Sequence, residues 1–251
     1  MHLEYRTGYV PMRIVARMDE PIGYLDDLLH IDAAISYGVY HDLDIATRRT
    51  IPPIQTTDWP VDLTLPLSSW WVDYDAELHG EVDPRLMKRR RTGKNGTAPQ
   101  LWGWCASAAN DTAWEARSKC EVRKKPALGE MRRYTDAKNH NLGTGFMKAY
   151  DLAIPTVLAR EVAWFSHGDP EHVRHLLSEY VPALGKKRNI GNGTVREWVV
   201  EPCDVDRSVV VDGKAARRLP AGVPDGTPRH GTIRPPYYWT AGRSVMAVEP
   251  C

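Results

Sequence analysis

Apolar and polar positions alternate cleanly near the start of the chain. From Met12 to Met18, Ile14, Ala16 and Met18 interleave with Arg13, Val15 and Arg17, the period of a half-buried strand. Pro21 and Gly23 end it. The period then changes: Leu25, Leu28, Leu29 and Ala33 recur on one face, predicting a helix over Leu25–Ile35. Asp26 and Asp27 fall in its first turn, where the helix dipole favours negative charge. The opening unit is strand, turn, helix.

From Ile51 to Asp75 the chain is rich in Pro, Thr and Trp. The alternation of Val61–Leu65 and the run Trp70-Trp71-Val72 predict short strands joined by turns. Residues 84–150 show no sustained period and predict a basic, loop-rich insertion with mobile segments. Order returns at Pro155, where Thr156–Phe165 is β-branched and aromatic and reads as one full strand. Asp169 followed by Pro170 is an N-cap with proline at the first helical position. Val173, Leu176, Leu177, Tyr180 and Leu184 form the stripe of the helix that follows, with Gly185 as its left-handed cap. Thr194–Val200 is a last strand, ended by Pro202. Residues 203–251, rich in Pro, Gly and Arg, predict an extended tail with few regular elements, packed across the sheet by its aromatics.

Two strand-helix units with strands between them predict an α+β fold of ferredoxin-like or RRM-like plan, β-α-β…β-α-β in one domain over 1–251. The open face of such a sheet commonly binds RNA. The 33 basic and 32 acidic residues give a formal net charge of +1, which excludes a histone-like polycation but not a local basic stripe. Cys105, Cys120, Cys203 and Cys251 lack the short-spaced pairs of a zinc site and read as free thiols of a reducing cytoplasm. No apolar run resembles a signal peptide or is long enough to span a bilayer, so a cytoplasmic protein is expected.

The candidate chemistry sits at 185–193, Gly-Lys-Lys-Arg-Asn-Ile-Gly-Asn-Gly. Its glycines permit positive φ and close approach to a ligand, and successive N–H groups there can form a nest for phosphate oxygens. Lys186, Lys187 and Arg188 add three cations. The same letters also suit a solvated helix C-terminus. Nucleotide motifs fail: Gly185-Lys186 and Gly93-Lys94 both lack the P-loop pattern, and Gly191-Asn192-Gly193 precedes a strand instead of a helix.

The strand ending at Pro21-Ile22, the segment Leu25–Leu29, the late helix leading into the glycine loop, and Arg234-Pro235-Pro236-Tyr237 together resemble the RAMP proteins of CRISPR systems. Within that superfamily the chain looks most like the group that holds the guide-RNA 5′ handle in type IV effector complexes, the Cas-five group. The resemblance covers roughly residues 10–40 and 155–240. It implies an RRM-like fold, no cofactor and no metal, and a non-catalytic subunit that binds the crRNA handle. It further implies that the chain caps a filament of backbone RAMP subunits, contacts the large subunit and shares in reading the DNA motif beside the target. RAMP loops often carry an aromatic or aliphatic residue where this chain has Asn192.

On that resemblance Lys186, Lys187, Arg188, Asn189, Gly191 and Gly193 are expected to hold RNA. Arg132, Arg133 and Tyr134 are expected to pair with phosphates and stack on bases. Lys88, Arg89, Arg90, Arg91 and Lys94 would form a thumb that follows RNA or target DNA, although such a run also suits a solvated surface. Trp70, Trp71, Trp102 and Trp104 suit core or subunit packing. Two alternatives stay open. One is a metal-independent endoribonuclease of the same superfamily, using His30 or His140 as acid or base. The other is a structural adaptor whose basic loops bind a protein partner.

Overall fold

A computed structural model describes residues 1–23, 29–51, 63–82, 87–92, 96–109, 115–124, 149–224, 228–235, 237 and 245–250. The first half holds β1 (His2–Glu4), β2 (Val10–Met18), β3 (Ile22–Gly23), α1 (Ile31–Asp42), α2 (Ile45–Thr50), β4 (Ser69–Asp73) and α3 (Ala76–His79). Next come β5 (Met87–Thr92), β6 (Gly96–Trp104), β7 (Ala116–Lys124), β8 (Tyr150–Leu158), β9 (Glu161–Gly168), α4 (Pro170–Tyr180) and β10 (Val195–Pro202). Short strands close the chain: β11 (Val210–Val211), β12 (Lys214–Ala215), β13 (Leu219–Pro220), β14 (Pro228–Gly231) and β15 (Val245–Val248). The fold is α+β, and every strand pairing described is antiparallel.

The main sheet has the order β10-β2-β9. The alternation within β2 directs Met12, Ile14, Ala16 and Met18 to one face, where they meet Ile31 and Ile35 of α1 and Val173, Leu176 and Leu177 of α4. Burying each of these side chains larger than alanine contributes about 1.5–3 kcal/mol, so this stripe-on-stripe contact sets where both helices lie. Asp169 caps α4 as expected, its side chain accepting from the His172 N–H at 3.1 Å.

Several expectations are corrected. α1 begins at Ile31, not Leu25, because Ile31 and Ile35 are the positions that reach the core, while Leu29 precedes the helix and its carbonyl takes the Trp164 indole N–H at 2.8 Å. Leu25, Asp26, Asp27 and Leu28 lie outside the described residues, as do Val61 and Asp62. The run Thr156–Phe165 is not one strand. It breaks at Ala159-Arg160, and its two halves join different sheets: β9 pairs with β2, while β8 pairs with β3 and β7. α4 ends at Tyr180, short of Leu184 and Gly185, because Pro182 offers no N–H and biases Val181 away from helical backbone.

The place beside β9 is taken by other chain. Ala106 bridges Ser166, Leu67 bridges Gly168, and the Ser107 and Ser68 N–H groups donate to Phe165 and His167 carbonyls at 2.8 Å. These contacts join the main sheet to a second sheet of order β1-β4-β6-β5. Part of the segment expected to be irregular is therefore regular, since β5, β6 and β7 all fall inside residues 84–150. Trp70, Trp102 and Trp104 are buried as core residues.

The segment beyond 203 also departs from an extended tail. β13, β15 and β14 form their own sheet. Val209, Ala215, Leu219, Ile233, Ala247 and Val248 build a second core on Trp70, Val72 and Leu101 of β4 and β6. Its attachment is polar and buried. The fully buried Arg217 donates to the carbonyls of Trp104, Ala106 (2.9 Å) and Ile233 (2.7 Å), and pairs with buried Asp32 of α1 at 3.1 Å. The Tyr237 hydroxyl donates to the same carboxylate at 2.9 Å. Burial pushes the Asp32 carboxyl upward, against the pull of Arg217 and the Tyr237 hydroxyl.

Candidate nucleic-acid interface

The outer face of the main sheet is not an open RNA platform. Val15, Ala163 and Phe165 on that face are buried, with Arg207 lying 5.5 Å from the Phe165 ring centroid. Arg17 bridges Glu161 at 3.3 Å and Glu197 at 2.7 Å, which places two carboxylates at one end of the sheet.

The glycine loop is the tip of a short antiparallel hairpin. Its base is closed by the bridge Ala183–Thr194, by the Leu184 N–H on Gly193 O (2.8 Å) and by the Val195 N–H on Pro182 O (2.9 Å). Lys187 has φ 59° and Arg188–Ile190 form a single 3₁₀ turn. Gly193 has φ +70°, and a Cβ there would stand 2.0 Å from Leu184 O, so only glycine fits. Asn192 turns its side chain inward against Gly23 and is buried.

Four N–H groups of the loop, those of Gly191 and Gly193 among them, are hydrogen-bonded within the protein. The Gly193 N–H donates to Pro21 O (2.8 Å), the Gly191 N–H to Arg188 O (3.1 Å), the Ile190 N–H to Lys187 O (3.1 Å) and the Lys186 N–H to Gly23 O (2.8 Å). Engaged in this way, these four groups shape the loop. Lys186, Lys187 and Arg188 add side-chain charge.

That charge borders a cleft of about 880 Å³. Leu152, Ala153 and Ile154 of β8 line it, with Pro182 and Ala183 before the loop, Gly185–Asn189 of the loop itself, and Tyr37 of α1. Each of two loop cations lies against a tyrosine: Arg188 is 5.0 Å from the Tyr37 ring centroid and Lys187 Nζ is 5.6 Å from that of Tyr150. The arrangement combines positive charge for phosphate, aromatic faces and an apolar floor. Sequence reasoning missed Tyr37, Tyr150 and Leu152, since nothing local marks them as neighbours of the loop. The one available signal is that Tyr37 and His41 share a face of α1 at helical spacing.

Of the other candidates, those among the described residues do not line this cleft. Lys88, Arg89, Arg90 and Arg91 lie on β5, in a different sheet, with Lys88 Nζ 3.7 Å from the Trp102 ring centroid. Lys94, Arg132, Arg133, Tyr134 and His140 fall outside the described residues. His30 is buried and stacked on Tyr237 at 4.2 Å, and neither ring nitrogen has a hydrogen-bond partner among the described residues.

Burial, with Arg217 and Arg218 nearby, holds the His30 imidazole well below its ordinary range. A depressed histidine excludes a proton that the unfolded chain accepts, so stability should fall as pH drops through about 6.5. Urea titrations at about pH 7.5 and 5.5 should show this loss, and His30→Phe should reduce it, leaving the shares of His41, His79 and His167, whose pKa values are also lowered.

Among the described residues no helix is long and apolar enough to cross a membrane. No curated protein matches the chain. A family model does: Csf3, described as a CRISPR type IV associated protein, aligns with residues 10–250. With nearly the whole chain matched, the protein belongs to the Csf3 family of CRISPR type IV associated proteins.

Proposed function

We propose that this chain is a non-catalytic RNA-binding subunit of a type IV CRISPR ribonucleoprotein, gripping the crRNA 5′ handle with the loop at 185–193. The observation that carries the reading is the cleft itself, where Lys186, Lys187 and Arg188 stand beside Tyr37 and an apolar strand. Family membership supports it, because a CRISPR type IV associated protein acts with other Cas subunits and a guide RNA. The partners follow: crRNA, backbone RAMP subunits, the large subunit and target DNA.

The ferredoxin-like assignment belongs to the same proposal. The order β2-α1-β8-β9-α4-β10 follows the β-α-β-β-α-β plan, and β10-β2-β9 places its fourth, first and third strands side by side. β8, the second strand of that plan, has left the main sheet for β7 and lines the cleft.

Anisotropy titration of single-stranded handle RNA over a range of salt tests the grip. The triple variant Lys186→Ala/Lys187→Ala/Arg188→Ala should bind more weakly, with a salt slope reduced by about 0.7 for each phosphate that is no longer neutralised. Equal affinity and slope in wild type and variant would remove the loop from RNA binding.

A further inference from the structure

The loop cations explain attraction to a phosphate backbone, but they do not explain the space beneath them. A backbone-only site needs no cavity. Here about 880 Å³ opens behind the charges, within the range of about 300–1,000 Å³ typical of pockets that enclose a small molecule. Its lining is mostly carbon: Leu152 stays 44 % exposed although apolar, and Ile154, Pro182 and Ala183 continue the surface. In β7, Val122 and Cys120 stand directly opposite Leu152 and Ile154 and share their face of the ribbon, so the apolar surface extends across two strands.

Tyr37 stands at one side of this space, 37 % exposed. His41, one turn further along α1, packs at 4.3 Å from its ring and limits its rotation. Burial, with Arg48 and Arg188 nearby, keeps that imidazole below its ordinary range, so the ring behind Tyr37 is uncharged near neutral pH. Arg188 approaches the tyrosine only loosely, at 5.0 Å from the centroid. Asn189 lines the same space and carries an amide able both to donate and to accept.

We infer that the cleft is a nucleobase subsite: one unpaired RNA base enters it, stacks on Tyr37 and covers Leu152 and Pro182, while its phosphate is taken by Lys187 and Arg188. The inference rests on the RNA-binding function proposed above and adds to it that the site demands an unstacked base. Arg188 leaves the tyrosine face when the base arrives and turns to the phosphate. A duplex, whose bases stay stacked and paired, offers only its backbone. Carbon burial and stacking then supply a part of the affinity that salt does not screen, beside the screened part from the cations.

The two parts separate experimentally. With the full chain and a short single-stranded RNA, Tyr37→Ala should weaken binding roughly five- to hundredfold, as expected for one lost base–aromatic stack, with the salt slope unchanged. Tyr37→Phe, which keeps the ring, should bind like wild type. An otherwise identical strand made abasic at successive positions should bind wild type as weakly as Tyr37→Ala binds the intact strand at one position, and Tyr37→Ala should lose nothing more there. Circular dichroism confirms that the variants are folded. If Tyr37→Ala binds normally, or loses as much on every abasic strand as on the intact one, the base subsite is wrong. The phosphate grip still stands or falls separately on the loop triple variant.

Discussion

Replacing Arg217 by alanine is expected to destabilise the protein by about 3–5 kcal/mol, because it leaves the buried carboxylate of Asp32 without its counter-charge. The same change strips the Arg217 donor from the carbonyls of Ala106 and Ile233, whereas that of Trp104 keeps the Trp70 indole N–H at 3.1 Å. Urea denaturation of wild type and variant measures the loss. Adding Asp32→Asn to Arg217→Ala should recover part of it, since an amide left beside the Tyr237 hydroxyl is far easier to bury than a charge. A double variant no more stable than the single one would show that the pair does not act as a unit. The effect should also reach the cleft. Asp32 lies in the first turn of α1 and Tyr37 in its second, so loosening the helix from the C-terminal unit displaces the ring proposed to stack on RNA.

The second large effect belongs to Gly193. Alanine there must hold φ near +70° and bring Cβ to within 2.0 Å of Leu184 O, which the backbone cannot accept without opening the hairpin base. Positive φ in a residue with a side chain costs about 1–3 kcal/mol, and displacement endangers the Leu184–Gly193 and Gly193–Pro21 hydrogen bonds as well. A total loss of about 3 kcal/mol is expected, together with a weakening of the proposed RNA binding as Lys186, Lys187 and Arg188 lose their common frame. Gly191 is the control. It also has positive φ, but nothing lies within 4 Å of its Cβ position, so Gly191→Ala should cost only about 1–2 kcal/mol. Similar thermal shifts for the two substitutions would contradict the steric account.

These two sites are unequally visible in the amino-acid sequence. The glycine loop shows in its letters, because glycine and clustered cations are local signals. How the loop is held does not show there: the Gly193 N–H turns inward to Pro21 and the Lys186 N–H to Gly23, and this depends on chain that packs behind the loop. The Asp32–Arg217–Tyr237 cluster carries no signal at all. Its members are spread across the chain, and Asp32, which falls in the last turn of the helix predicted over Leu25–Ile35, has no local tie to Arg217.

Family resemblance is legible from the strand, helix and loop at the two ends of the chain, and the family match covers that ground and the segment between them. Element type is legible wherever one periodic stripe faces one core, as in β2, α4 and β10, since alternation and capping are properties of near neighbours. Partnership is not. The run Thr156–Phe165 has the composition of a single strand, yet β9 pairs with β2 while β8 turns away to β7 and becomes the floor of the cleft. The residues past 203 look like a tail and instead close a second core over Trp70. Local backbone preference and hydrophobic period decide what a segment becomes. Which sheet it joins, and which charge it buries against, follows from competition among distant segments for the same apolar surface and the same unpaired backbone groups, and no local pattern records that outcome.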